Sequence, residues 1–136
     1  MKFIKLHEDF WDDFEKDKEP ITNYFDNECA SKSTLLEIGR NFPKYYDSSY
    51  EDMFFMKQKI KKIPLKSLIP TQPSIMKSKL TKLENKDIIE DVYMVKYNNK
   101  YYLYDGHHRA AYLIKQGQHF ITGYLFDIDK KLNKLS

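Results

Sequence analysis

The stretch from residue 101 to residue 117 constrains the fold more than any other part of this 136-residue chain. It opens with Tyr-Tyr-Leu-Tyr, which is typical of a β-strand, and continues with Asp105 and Gly106, which indicate a tight turn. A helix then begins directly with His-His-Arg-Ala-Ala, and Gly117 stands where a helix C-cap belongs. The pattern therefore predicts a strand, a turn and a helix whose first turn carries two imidazoles and a guanidinium.

The first turn of this helix is expected to bind an anion. Its N–H groups lack intrahelical acceptors and carry a partial positive charge. Only Arg40 and Arg109 are arginines among the 23 basic residues, so Arg109 suggests a need for a planar, bidentate phosphate contact. Gly106 would let the backbone approach a ligand, and His108 would donate a hydrogen bond. We expect a polyphosphate here; the alternative is an ordinary strand–turn–helix with polar capping residues.

Asp105 and His107 are the candidates for catalysis. A carboxylate beside phosphates is unfavourable by itself, so Asp105 predicts either a Mg²⁺ bridge or a proton acceptor. The alternative for Asp105 is a helix cap, which needs no metal. His107 is expected to contact phosphate or to cover the ligand. A zinc or iron site shared by the two histidines is disfavoured, because adjacent helical side chains point roughly 100° apart.

Composition favours a cytoplasmic globular domain. A chain that is 41% hydrophobic and 15% aromatic can build a core. No apolar run approaches the roughly 18 residues of a membrane helix, and the N-terminus turns acidic at Glu8, so we expect no membrane partner and no secretory signal. A single cysteine, Cys29, excludes an internal disulfide and a multi-cysteine zinc site.

The charge is unevenly distributed along the chain, although its net value is only +3. Nine lysines and one acid, Glu84, lie between Lys57 and Lys86, whereas residues 1–26 carry eight acids and four lysines. The lysine-rich stretch could contact nucleic acid nonspecifically. The alternative is a solvated surface that the acidic N-terminal stretch partly neutralises.

Residues 1–58 are predicted to form a helical extension or lid. Apolar residues recur at helical spacing over residues 3–18, and further helices are expected over residues 33–40 and from residue 48 or 49 to about residue 60. Pro20 and Pro43 are expected to stop the first two.

Residues 59–128 are predicted to form the core, followed by a polar, frayed tail over residues 129–136. The predicted order is a strand over 61–70, a helix starting within 71–74, a hairpin of strands 91–96 and 100–104, a helix over 107–116 and a strand over 119–127. This β-α-β-β-α-β order describes a small α+β domain.

Residues 60–127 resemble the ParB/sulfiredoxin-like family. Ile-Pro-Leu-Lys-Ser-Leu-Ile-Pro at residues 63–70 is similar to the family's opening strand. Thr-Gln-Pro-Ser at residues 71–74 stands in the place of its Gln-Pro-Arg element. Tyr-Asp-Gly-His-His-Arg-Ala-Ala at residues 104–111 is similar to its phosphate-binding box. The resemblance implies a small mixed-sheet core that binds a nucleotide, ATP or CTP, with Mg²⁺. The nucleotide contacts that it implies are Gln72, Ser74, Gly106, His108 and Arg109.

Within this family the box is most similar to that of the free-serine-kinase branch, which reads Asp-Gly-His-His-Arg or Asp-Gly-His-Thr-Arg. Sulfiredoxins carry their reactive cysteine at the position of His107. Partition proteins carry Gly-Glu-Arg-Arg and continue into DNA-binding domains, for which the chain leaves no room. The kinase branch places a carboxylate base near the position of Gln72, so Glu84, Glu90 or Asp91 would have to replace it.

The predicted function is therefore that of a nucleoside-triphosphate-binding protein, which hydrolyses the nucleotide or transfers its phosphate to a small-molecule or protein acceptor. The alternative is a non-catalytic nucleotide- or nucleic-acid-binding module, similar to partition proteins and associated with DNA. A nuclease is disfavoured because the sequence shows no paired-carboxylate metal cluster.

Overall fold

The computed structural model describes residues 16–41, 60–86 and 89–135. These ranges contain the strands β1 (Lys18–Pro20), β2 (Ile60–Pro64), β3 (Leu68–Ile69), β4 (Ser74–Met76), β5 (Val92–Tyr97), β6 (Lys100–Asp105) and β7 (Phe120–Asp127). The helices that they contain are α1 (Lys32–Arg40), α2 (Lys77–Glu84), α3 (His107–Lys115) and α4 (Ile128–Leu135). Helices and a mixed sheet together confirm the predicted α+β class. No helix of the described ranges has the length and apolar character needed to cross a bilayer.

The main sheet has the strand order β2-β7-β5-β6-β3. The β2/β7 and β5/β6 pairs are antiparallel, and the β7/β5 and β6/β3 pairs are parallel. The predicted single strand over residues 61–70 is wrong, because a 3-10 turn at Leu65–Ser67 divides it into the two edge strands β2 and β3. Since so short a link joins opposite edges, the sheet must curl until those edges lie close together.

Two hydrophobic clusters cover the two faces of this sheet. The first joins buried residues of β2, β5, β6 and β7 to α2 and α3: Ile63, Val92, Met94, Leu103, Ile121, Leu80, Ala110 and Ala111. The second joins the opposite face to α1 and α4: Val95, Tyr102, Phe126, Ile38 and Ile128. Helices α2 and α3 therefore lie on one side of the sheet, and α1 and α4 lie on the other.

The described part of the expected helical extension is integrated into this core. Helix α1 confirms the prediction over residues 33–40, but Lys18 begins a strand where a helix was predicted. Ile21 and Phe25 are buried in the first cluster. Residues 3–15 of the helix predicted over residues 3–18 lie outside the described residues, as does the helix predicted from residue 48 or 49 up to residue 59.

A short two-stranded sheet corrects the predicted helix start at residues 71–74. Strand β4 pairs antiparallel with β1, so the backbone stays extended and α2 begins only at Lys77. The Asp17 carboxylate then accepts hydrogen bonds from Ser78 N at 2.9 Å and Ser78 Oγ at 2.7 Å. A distant carboxylate thus caps α2 in place of a local residue.

The predicted hairpin and the predicted end of the next helix are confirmed. Asn98 and Asn99 have φ values of 52° and 62°, which is the geometry of a type I′ turn. Gly117 has a φ of 79° and donates to Ile114 O at 2.9 Å, while Gln118 N donates to Leu113 O at 3.0 Å. These two bonds form a Schellman motif at the end of α3.

The tail that was expected to fray forms helix α4 instead. Ile128 is fully buried, and the Asp127 carboxylate caps the helix by accepting from Lys130 N at 2.9 Å. Asp129 accepts from Asn98 N at 2.7 Å and from Asn99 N at 2.8 Å. These contacts hold the helix against the β5–β6 turn.

Replacing Asp129 with alanine should lower the free energy of unfolding by about 1 to 2 kcal/mol, because two charge-assisted hydrogen bonds to the turn are lost. Urea unfolding measures the change. Lys130→Ala, on the same turn of α4, is the matched control and should have a smaller effect. Equal destabilisation by both variants would contradict an anchoring role for Asp129.

Candidate functional site

Gly106 makes the sharp turn between β6 and α3 that the sequence predicts. It has a φ of 107°, a conformation that side-chain-bearing residues rarely adopt. A Cβ at this position would lie 2.5 Å from Val92 Cγ1, a buried atom of the neighbouring strand. Only glycine therefore fits the turn that places the first residues of α3 at the end of the sheet.

The first turn of α3 carries N–H groups without helical acceptors. Ala110 N makes the first intrahelical bond, to Gly106 O at 2.9 Å, which leaves the N–H groups of His107, His108 and Arg109. Within the described ranges, no side chain accepts a hydrogen bond as an N-cap of this helix, so the structure does not show the alternative role of Asp105 as a cap.

The Arg109 guanidinium is held in place by a backbone carbonyl and flanked by two carboxylates. Its Nη1 donates to Asp91 O at 2.7 Å, and its Nη2 donates to Asp105 Oδ2 at 3.3 Å. Glu90 Oε2 lies 3.8 Å from Nη1. The Arg109 side chain is only 19% exposed, whereas those of Asp105 and Glu90 are 62% and 89% exposed. An anion could therefore compete with these solvated carboxylates without disturbing the carbonyl contact.

His107 is buried and has an internal partner. Its side chain lies beneath the segment that follows β3, where Nε2 accepts from Thr71 N at 2.9 Å. Thr71 Oγ1 donates to Leu103 O at 2.6 Å and lies 3.4 Å from the same imidazole nitrogen. Burial, with a smaller contribution from His108, lowers the pKa of His107 from 6.5 to about 4. This geometry makes His107 a neutral residue that positions α3, and a catalytic role would require the bond to Thr71 to break.

His108 makes the equivalent bond to strand β4, since its Nε2 accepts from Met76 N at 2.9 Å. Burial lowers its pKa, nearby Lys79 lowers it further, and Asp17 acts in the opposite direction. Unlike His107, it is only partly buried and faces an open cleft.

A cleft of about 350 Å³ opens between α2 and the start of α3. We call it the lysine cleft, and the residues that line it are Lys79, Lys82, Leu83, Lys86, Ile89, Glu90, His108 and Arg109. Among the described residues that line the cleft, four cationic side chains therefore face one carboxylate, at the helix terminus whose N–H groups lack helical acceptors. The arrangement is suited to a ligand with several negative charges.

The structure brings together only some of the predicted site residues. His108 and Arg109 line the lysine cleft, and Asp105 reaches it through Arg109. Gln72 and Ser74 interact with each other, since Gln72 Nε2 donates to Ser74 O at 2.8 Å, and neither lines the cleft.

Sequence reasoning missed the cationic wall formed by Lys79, Lys82 and Lys86. Their spacing of three and four residues was a usable signal, because it places side chains on one helical face. The sequence alone indicates a general basic surface for these lysines rather than a place in the site.

A metal site of protein ligands alone is not formed here. Among the described residues, no three histidine, cysteine or acidic side chains lie close enough to hold an ion. Asp105, the predicted Mg²⁺ ligand, would have to share the ion with oxygen atoms of a bound phosphate and with water, which is a common arrangement for Mg²⁺.

Comparison with known proteins gives a likeness in structure but none in sequence. No protein-family model matches the chain, and no curated protein sequence matches it. The crystal structure of sulfiredoxin from Arabidopsis thaliana superimposes with a TM-score of 0.43 and 18% identity, covering 57% of this chain and 98% of that chain. A likeness at this level assigns neither a family nor an activity to the chain.

Acidification should destabilise the fold between about pH 6.5 and pH 4. Because the pKa of His107 is lowered to about 4, the unfolded chain takes up this proton at a higher pH than the folded chain. The free energy of unfolding should therefore fall as the pH drops through this window, by up to about 3 kcal/mol. The midpoints of urea unfolding, measured at several pH values across this window, give the dependence of stability on pH.

The variant His107→Gln tests whether His107 causes this pH dependence of the free energy of unfolding. Its side-chain oxygen can still accept from Thr71 N, but the group does not titrate. The variant should lose less stability on acidification than the parent, relative to its own value at neutral pH. An unchanged slope would show that other groups cause the acid sensitivity.

Proposed function

We propose that this protein binds a nucleoside triphosphate, ATP or CTP with Mg²⁺, in the lysine cleft. In this proposal it hydrolyses the nucleotide or transfers its terminal phosphate to a small-molecule or protein acceptor. One observation carries the proposal: Lys79, Lys82 and Lys86 line the same cleft as Arg109, at the N-terminus of α3. The resemblance of residues 104–111 to a phosphate-binding box supports it independently.

The distribution of cations favours a polyphosphate over a single carboxylate. Two of the lysines lie on α2 and the third just beyond its end, so they are spread along the cleft. Arg109 lies at the N-terminus of α3. One small anion could not contact all of them, but a chain of phosphates could bridge α2 and α3. The cleft volume of about 350 Å³ lies at the lower end of the range for small-molecule sites.

Arg109 is the central phosphate ligand in this proposal. Its bond to Asp91 O fixes the orientation of the guanidinium, and the N–H groups that now face Asp105 and Glu90 are the ones available to phosphate. A Mg²⁺ ion would resolve the repulsion between Asp105 and the incoming phosphates, because it binds oxygen atoms of both. The nucleotide is therefore expected to bind more tightly with the metal than without it.

Asp105 is the stronger candidate for a catalytic side chain. It is exposed beside Arg109, so it can reach a Mg²⁺ ion or the proton of an attacking hydroxyl group. Phosphoryl transfer depends mainly on alignment and charge neutralisation, which the lysines, Arg109 and Mg²⁺ would supply. In this arrangement His107 holds the helix in place, and His108 fixes strand β4 at the edge of the cleft.

Arg109→Ala should weaken Mg²⁺–ATP or Mg²⁺–CTP binding by about 10- to 100-fold, because one bidentate charged contact is lost. Calorimetric titration with ATP, CTP and GTP, with and without Mg²⁺, measures the affinities. Arg40→Ala is the matched control, since the only other arginine lies exposed on α1 and pairs with Glu37. The proposal fails if no triphosphate binds, or if both arginine variants bind like the parent.

Asp105→Asn should reduce phosphate release from the bound nucleotide by roughly 100-fold or more, the usual contribution of a positioned acid or base. Phosphate release at saturating nucleotide measures turnover, and Asp26→Asn, an exposed carboxylate outside the cleft, is the control.

The engaged Nε2 atoms of both histidines favour one alternative, a module that binds nucleotide without chemistry. Tight binding without turnover of any nucleotide, alone or with candidate acceptors, would establish that alternative.

A further inference from the structure

A second cavity adjoins the lysine cleft at the start of strand β7. It has a volume of about 280 Å³, and it shares Ile89 and Glu90 with the lysine cleft. Its other walls come from Asp91, from α3 and the residues just beyond it, and from residues 120–122 of β7. We call it the β7 pocket. Taken together, the two cavities fall within the range of volumes that is usual for small-molecule sites.

The two cavities differ in charge. The described residues that line the β7 pocket include two acids, Glu90 and Asp91, and no lysine, arginine or histidine. The lysine cleft has the opposite character, since three lysines and Arg109 line it. A ligand that spans both cavities would therefore place its phosphates in the lysine cleft and an uncharged part, with hydroxyl groups, in the β7 pocket.

The β7 pocket lies where strand β7 has a neighbour on one side only. Residues 120–122 pair with residues 62–64 of β2. The pairing of β7 with β5, on the other side, begins only at Gly123, which lies opposite Val92. The chain before Val92 therefore leaves a gap beside the first residues of β7, and residues 89–91 and 120–122 line this gap from its two sides.

Backbone polar groups of β7 point into this gap. Leu65 N donates to His119 O at 2.9 Å, so the polar groups of His119 point toward β2. In an antiparallel pair this direction alternates from residue to residue, so those of Phe120 and Thr122 point away from β2. Pro64, which has no N–H to donate, lies opposite Phe120, as expected for a pair without ladder bonds. The Phe120 carbonyl and the Thr122 N–H thus present an acceptor and a donor to the β7 pocket.

We infer, given the nucleotide binding proposed above, that the β7 pocket holds the sugar and base of the nucleotide and selects an amino-bearing base, adenine or cytosine. In both of these bases an amino donor lies beside a ring-nitrogen acceptor. This pair is complementary to the Phe120 carbonyl and the Thr122 N–H. The keto bases hypoxanthine and uracil present acceptor and donor in the opposite order, so both contacts would be mispaired.

The sugar would lie at Glu90, which lines both cavities. The Glu90 carboxylate is 89% exposed and lies 3.8 Å from Arg109 Nη1. A phosphate bound to Arg109 would displace this weak contact. The carboxylate would then accept hydrogen bonds from the sugar hydroxyls, which is a common role of acidic residues beside a bound nucleotide.

The first experiment varies the base on a constant triphosphate. Inosine triphosphate is ATP with a keto group in place of the amino group, and UTP bears the same relation to CTP. Calorimetric titration with Mg²⁺ should show the amino form binding roughly 10- to 100-fold more tightly in at least one pair. Equal affinities within both pairs would overturn the inference and leave the lysine cleft as a phosphate site. Failure of all four nucleotides to bind would overturn the proposed function itself.

The second experiment locates the base on β7. Amide hydrogen exchange at Thr122, followed by NMR, should be about 5-fold slower or more with saturating Mg²⁺–ATP than with saturating Mg²⁺ and inorganic triphosphate. Only the nucleotide has a base that can accept from this N–H. The Ile121 N–H points toward β2, so it is the matched control and should exchange alike with both ligands. Equal exchange at Thr122 with both ligands would overturn the inference, whatever the base preference.

The third experiment tests the position of the sugar. The parent should bind ATP about 3- to 10-fold more tightly than 2′-deoxy-ATP, because the deoxy sugar lacks one hydroxyl that donates to Glu90. Glu90→Ala should remove this difference. Glu28→Ala, at an exposed carboxylate that lines neither cavity, should preserve it. The placement of the sugar at Glu90 is wrong if the parent does not distinguish the two nucleotides, or if Glu90→Ala distinguishes them as the parent does.

Discussion

Two neutral imidazoles that accept backbone hydrogen bonds hold together the end of the fold that carries the candidate site. His107 accepts from Thr71 N and His108 accepts from Met76 N, so consecutive residues of α3 fix both ends of the segment between β3 and α2. Because β4 lies in that segment and pairs with β1, the same two bonds also position the N-terminal strand. The lysine cleft exists because this segment delivers α2 beside α3.

This use of histidine changes how the positive charge of the site is supplied. The sequence predicts that two imidazoles and a guanidinium bind the anion jointly. Both histidines have lowered pKa values, and each Nε2 must stay unprotonated to accept its bond. The charge therefore comes from Arg109 and from the lysines that line the cleft. Protonating the imidazoles would add positive charge to the site but would break the bonds that shape it.

Local signals in the sequence were sufficient to predict the features that depend on the backbone conformation of one or two residues. The Asn98–Asn99 turn, the left-handed Gly106 and the Schellman motif at Gly117 each depend on a backbone conformation that few residue types adopt, so they could be predicted. The pairing of Lys18–Pro20 with Ser74–Met76 could not, because three-residue strands far apart in sequence carry almost no periodicity. That missed pairing also displaced the predicted start of α2.

The candidate site could be predicted only in part, because some of its residues belong to one local motif and others come from a separate element. His108 and Arg109 follow directly from the strand–turn–helix motif, whereas the contribution of Lys79 and its neighbours depends on how α2 packs against α3. The burial of His107 depends on Thr71, which belongs to an element that the motif does not include. A motif thus identifies the residues of one helix terminus, but only the packing of neighbouring elements decides which of them face a ligand.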